Sequence, residues 1–199
     1  MNLVERSHEY CEELHNLLHG IVLPSNRRSV ASAACLHLAL EHHRAVVLLY
    51  KIPLVVSACA MLRIQLEAYV KGAWLNRCAQ DSDLGRFERG KDLPLFGEML
   101  NGLETALPRY GSEWASIRQE AWRPLSNYVH SGANQAWRRV QGEELAASGS
   151  SSEIVGGLTF ASRVGALVAL EFSTLADSAS LAKRVGLLYA SYRENSEQP

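Results

Sequence analysis

The amino-acid sequence predicts an all-α fold, a helical bundle built on a long antiparallel hairpin. Apolar residues recur at three- and four-residue spacing along almost the whole chain, and no stretch sustains the alternation of a half-buried strand. Prolines at positions 24, 53, 94 and 108 fall between those periodic segments, where they end one helix or open the next.

The 199 residues suffice for one core, and the chain reads as a single all-α domain over 1–199. With 47% hydrophobic and 21% charged residues it has the balance of a folded protein rather than a disordered one. A formal charge of −1 provides no global field toward nucleic acid or an acidic membrane, so any anion-binding surface must be local. The start, Met-Asn-Leu-Val-Glu-Arg, lacks the basic and apolar regions of a secretory signal. Cys11, Cys35, Cys59 and Cys78 are widely spaced within apolar helical patterns, which points to buried thiols in a reducing cytoplasm rather than disulfides or zinc.

The first helix covers about Leu3 to His19 and is broken by Gly20 and Pro24. A second runs from about Asn26 to Tyr50 and a third from Pro53 to about Gln80. Residues 45–62 (AVVLLYKIPLVVSACAML) are nearly long enough to span a bilayer, but Lys51 and Pro53 interrupt the centre. They read as two buried helices meeting at a tight turn, with no membrane contact. Asp81-Ser82-Asp83 caps a short helix ending near Gly90, and another lies between Pro94 and Leu107. Ser112 to Val140 reads as helical on both sides of Pro124, which kinks or restarts it. The stretch 146–152 (AASGSSS) reads as a flexible linker. Beyond it an apolar stripe from Ile154 to Leu175 continues through Leu181 to Tyr192, after a break near Asp177.

Arg63 and Glu67 stand one turn apart in mostly apolar company, so they can pair without leaving the core. An unpaired buried charge would cost several kcal/mol. If the second and third helices turn near Lys51–Ile52, facing residues have numbers summing to about 104. That register sets Glu41 opposite Arg63 and His37 opposite Glu67. A four-residue polar cluster, His37–Glu41–Arg63–Glu67, is therefore expected, reading as an ionic latch that fixes helix register rather than as a catalytic site.

A second feature is the block Trp122-Arg123-Pro124-Leu125-Ser126-Asn127-Tyr128-Val129-His130-Ser131-Gly132. Arg123 and His130 are two helical turns apart, on one face of an unbroken helix. Arg109, Arg118, Arg123, Arg138 and Arg139 outnumber Glu113 and Glu120 around them, interleaved with Trp114, Trp122, Trp137, Tyr110 and Tyr128. Arginines among aromatics can hold phosphates and stack bases; taken alone, the same residues read as core anchors and a solvated face.

Arg63-x-x-x-Glu67, the stretch LEAYVKGAWL (66–75) and the 125–132 block together resemble uncharacterised bacterial helical families of the HEPN-like kind, across roughly residues 28 to 140. The resemblance implies a helical bundle that dimerises, in a bacterial stress or defence system. It also implies an alternative activity, metal-independent RNA cleavage, since many members carry an arginine followed after four to six residues by a histidine. Arg123 and His130 match that pattern at its longest spacing. His130 would then act as acid or base toward a ribose hydroxyl or the leaving oxygen, and Arg123 would stabilise phosphoryl charge, with Asn127 between them. Arg118, Arg138 and Arg139 would contact the nucleic acid. Pro124 departs from the pattern, which often has a polar residue after the arginine.

His8, Glu12, His15 and His19 form a stripe along the first helix, and Glu12-x-x-His15 has the spacing seen in di-iron bundles. The further inward glutamates such a centre needs are missing, so the stripe reads as surface histidines. No metal and no cofactor are expected. The expected partners are a second copy of the chain and an RNA or a partner protein.

Overall fold

The computed structural model describes residues 2–196, except 53, 109–110, 118–122, 131–136, 138–139, 142–143 and 146–149, and except the side chains of 111–113, 123–124, 127, 141, 144–145 and 196. Nearly all described secondary structure is helical: α1 (Leu3–Leu18), α2 (Arg27–Lys51), α3 (Val55–Arg77), α4 (Asp81–Glu88), α5 (Phe96–Ala106), α6 (Gly111–Ser116), α7 (Arg123–Val129), α8 (Ser151–Leu175) and α9 (Ala179–Ser196). A two-residue antiparallel ladder, β1 (Val140–Gln141) with β2 (Glu144–Leu145), lies between α7 and α8.

Local chemistry explains the helix boundaries. The Asn2 side chain accepts from Glu5 N–H and Glu5 answers to Asn2 N–H, closing a reciprocal cap on α1. Asn26 caps α2 by accepting from Ser29 N–H at 2.9 Å. The Asp83 carboxylate accepts from Gln80 N–H at the start of α4. Between α8 and α9 the chain turns at Asp177 with φ of 48°, a left-handed position that aspartate tolerates better than most residues.

Two expectations about the middle of the chain are corrected. Helix does not continue to Val140, because Val140 and Gln141 pair with Leu145 and Glu144. The expected linker also ends early. Ser150 and Glu153 form a reciprocal cap, so Ser151 and Ser152 are the first turn of α8. Residues 146–149 lie outside the described residues.

The core is built around α3, which packs against α2, α5, α7 and α8. Arg28 donates to the Leu75 carbonyl at 3.0 Å and Ser32 to the Gly72 carbonyl at 2.8 Å. Those pairs join the start of α2 to the end of α3, and their numbers sum to 103 and 104. Gly72 matters here, because a Cβ on it would lie 2.8 Å from the Leu36 side chain. At the opposite ends, the Tyr50 hydroxyl lies 3.3 Å from Cys59 Sγ. All three thiols in the helices α1, α2 and α3, Cys11, Cys35 and Cys59, are buried and outside any disulfide. Burial raises the Cys11 thiol to about 12 and pushes Cys35 up as well.

The helix α8 is long and apolar enough to cross a membrane by length and composition. In this fold it packs instead against α1, α2, α3 and α9, burying Leu158, Ala161, Val164, Val168, Ala169 and Phe172. The segment 45–62 is divided between the end of α2 and the start of α3, with Val46, Val47, Val55 and Ala58 buried.

Candidate functional site

Arg63 is the charged side chain most deeply set into the middle of α3, 10% exposed, and its Nε donates to Glu67 Oε1 at 2.6 Å. Glu67 is 44% exposed, so the pair runs from the core outward. The other arm of the guanidinium bonds the Ser126 hydroxyl of α7. Through that contact the two features singled out in the sequence meet: the latch on α3 holds the helix that carries the Arg123–His130 block.

The rest of the expected cluster divides. His37 and Glu41 lie on the outer side of α2, 66% and 60% exposed, and approach each other only to 4.0 Å. Arg44, one turn further on, is drawn to Glu12 of α1 at 2.8 Å. His37–Glu41–Arg63–Glu67 is therefore two pairs on different faces. Numbering across a turn fixes the level at which residues meet along the axes. It does not fix which way each helix is rotated, and the rotation of α2 is set by Ser32, Leu36, Ala39, His43, Val46 and Tyr50, all buried.

The helix α7 starts at Arg123, with Pro124 in its first turn, where a missing N–H costs nothing. His130 N–H bonds the Ser126 carbonyl at 3.1 Å, so the helical path runs unbroken from Arg123 to His130. Ser126 is tied to Arg63, Leu125 is buried, and the Tyr128 hydroxyl donates to Glu153 Oε1 at 2.6 Å. Glu153 also caps α8, and its carbonyl accepts from Tyr50 at 3.3 Å. With both attachments on the inner side, His130 is left exposed at the end of the helix. Asn127 and Arg123 are placed on the backbone of α7, but their side chains lie outside the described residues, as do Arg118, Arg138 and Arg139. Of the aromatics in this block, Trp114 is 2% exposed and stacks on Tyr69 as a core anchor, whereas Trp137 is 73% exposed.

Two polar features escaped the sequence reading. His43 is fully buried on α2, and neither ring nitrogen has a partner. Burial, with His15 close by, lowers it to about 3, so it is neutral at physiological pH. It sits exactly where a helical core position falls, in step with Ala39 and Val46, and that periodicity was its only signal. The second is Glu171 of α8, buried, which accepts from Asn76 at 2.6 Å and from Arg77 at 2.7 and 3.1 Å. Its partners are 95 and 94 residues away in the chain, out of reach of any local pattern.

On α1, Glu12 pairs with Arg44, His8 and His15 are half-buried and His19 is exposed. Among the described residues no three potential ligands gather to hold a metal ion.

Fold and site together define an all-α bundle in which a buried arginine on the central helix pins a short surface helix ending in an exposed histidine. The chain belongs to a family of unknown function (DUF6988), whose model matches residues 36–197. No curated protein and no solved structure matches it.

Proposed function

We propose that this chain is a HEPN-like interaction module that works as a homodimer in a bacterial stress or defence system, in the cytoplasm. In this reading α2 and α3 form the long antiparallel hairpin, an arrangement supported by the Arg28–Leu75 and Ser32–Gly72 contacts. The observation that carries the reading is the outer face of that hairpin. Ala34, Leu38, Glu41, Ala45, Leu48 and Ile52 recur at helical spacing on the side of α2 turned away from the core. Leu38, Leu48 and Ile52 are 47%, 45% and 59% exposed, and Ile64 of α3 adds 38%. Single exposed apolar residues are ordinary, but a stripe of them along one helix marks a contact surface.

The occupant that fits is a second copy, because the stripe is complementary to itself. Laid against its own copy in the opposite direction, with facing numbers summing to 86, Leu38 meets Leu48 and Ala34 meets Ile52 of the second copy. Glu41 then meets Ala45, with Arg44 of the second copy beside it. An isologous contact requires this kind of match between large and small residues and between opposite charges. Sedimentation equilibrium tests it. The wild-type chain is expected to be dimeric at micromolar concentration, and Leu38→Glu with Leu48→Glu is expected to give a folded monomer. A wild-type monomer at about 100 µM, or a double variant that stays dimeric, ends the reading.

A second reading, metal-independent RNA cleavage, is favoured by one observation: the unbroken helical path from Arg123 to an exposed His130. Positions 123, 127 and 130 share a helix face, so an arginine and a histidine can address one phosphodiester, with no metal or cofactor required. Arg118, Arg138 and Arg139 would add backbone contacts. His130→Ala should abolish cleavage of a mixed RNA substrate while leaving the thermal midpoint unchanged. Equal cleavage, or none by the wild-type chain, refutes it.

A further inference from the structure

We propose that α1 is an acid-released strap, held over α2, α8 and α9 at neutral pH and let go when the histidines at its seat, His43 of α2 and its own His15, take up protons. The argument starts from the quality of its seat. Buried polar groups in folded proteins nearly always have hydrogen-bond partners. Along the seam of α1, Arg6 Nε, His15 Nε2, both nitrogens of His43 and the Ser162 hydroxyl are buried without one. Each such atom has given up its water without a hydrogen bond in return. These unmet groups lie where α1 meets α2 and α8, so its seat there is poorly satisfied. Its other edge is open too: Arg6, Glu9, Tyr10 and Glu13 line a cavity of about 100 Å³ with Leu188 and Tyr192 of α9. The helix α1 also precedes the residues that match the family model, 36–197.

What holds α1 is mostly apolar and aromatic, together with Ser7 on the Tyr192 hydroxyl at 2.9 Å, Tyr10 donating to the Ser162 carbonyl at 3.3 Å and Glu12 on Arg44 at 2.8 Å. Tyr10, Cys11 and Leu14 are buried, and Tyr10 stacks on Tyr192 with ring centres 4.6 Å apart. The Tyr10 edge also meets the His43 ring at 6.1 Å. On the far side the His43 ring is pressed on the α8 backbone, where a Cβ at Gly165 would lie 2.8 Å from Nδ1. No acceptor for a second ring proton is in place, so a protonated His43 cannot be kept in this packing.

The groups around it reinforce that result. From α1 come His15, Glu12, Tyr10 and Cys11, from its own helix Arg44 and, toward His15, His37, and from α9 Tyr189 and Tyr192 near Tyr10. The helix α8 presents Gly165 and Ser162, and α3 sends the neutral Gln65 to the Ala161 carbonyl of α8 and Asn76 and Arg77 to its Glu171. The nearby acid, Glu12, is engaged by Arg44. Burial and then Arg44 pull His15 below its ordinary value, against the opposing pull of a Leu40 backbone hydrogen bond and of Glu12, and burial and then His15 pull His43 down. The closed state is therefore favoured in full above the ordinary histidine value near 6.5. That advantage is lost as pH falls below it, when the open state binds protons more readily than the closed state does.

Hydrogen exchange followed by mass spectrometry, corrected for intrinsic exchange at each pH, tests the strap. Between pH 6 and pH 4.5 the protection of residues 3–18 should fall about tenfold per pH unit through His43, and further through His15, with α3 unchanged. His43→Leu should remove most of that slope; if that variant does not fold, His15→Leu should make the slope shallower. Loss of protection in α1 and α3 together, or the same slope in the variant, would overturn the proposal.

Discussion

Arg63 shows what one residue can be asked to do. Its guanidinium joins Glu67 on its own helix to Ser126 on α7, so its removal loosens a helix as well as an ion pair. Arg63→Ala should therefore cost more than Glu67→Ala. Glu67 is 44% exposed, and solvent screening limits its share to about 1 kcal/mol. Truncating the buried member leaves Ser126 and the Glu67 carboxylate without their partner, at about 2–4 kcal/mol. Urea unfolding of the two variants checks the order, and equal losses would mean that α7 does not depend on the latch. The Arg63–Glu67 half of this contact was legible from four-residue spacing alone. Ser126 was not, because 63 residues separate it from Arg63.

At the scale of elements, adjacent glycines on α8 make a sharper test. Gly156 is exposed, and a Cβ there would meet nothing within 4 Å. Gly157 is buried, and a Cβ would run into the Tyr50 ring and hydroxyl of α2. Tyr50 is 4% exposed and held on the Glu153 carbonyl, so it cannot step aside. Gly156→Ala should stabilise by about 0.5–1 kcal/mol through helix propensity, while Gly157→Ala should destabilise by about 1–3 kcal/mol through overpacking. Thermal midpoints moving the same way for both would show that α2 and α8 do not approach as closely as this. Element boundaries were mostly legible: the breaks at Gly20, near Asp177 and after Lys51 follow from caps and prolines. The start of α8 was misread because three serines suggested a linker, although Ser150 and Glu153 have the spacing of a reciprocal cap. Levels along the axes were countable. Rotation was not, and that separated His37 and Glu41 from Arg63.

For the whole molecule, the question the sequence leaves most open is why a 25-residue apolar helix belongs in a bundle rather than a bilayer. The answer lies in how α8 is faced. A lipid-facing helix is apolar all round. Instead α8 buries Ser162, Ser173 and Glu171, and Glu171 is bound by Asn76 and Arg77 of α3. Gly157 and Gly165 admit Tyr50 and His43, contacts with no counterpart in lipid. Transfer into a bilayer would strip Glu171 of its cation, and breaking a buried pair costs about 3–5 kcal/mol before the carboxylate itself meets hydrocarbon. The full chain expressed without detergent should therefore stay in the high-speed supernatant. Glu171→Ala should lower its urea midpoint without sending it to the membrane pellet, since the loss is to α3 packing and the apolar faces of α8 still have α1, α2 and α9 to cover them. Carbonate-resistant pelleting of the wild-type chain would place α8 in lipid and undo the core assigned to it. Pelleting of Glu171→Ala alone would show that one carboxylate decides between the two environments.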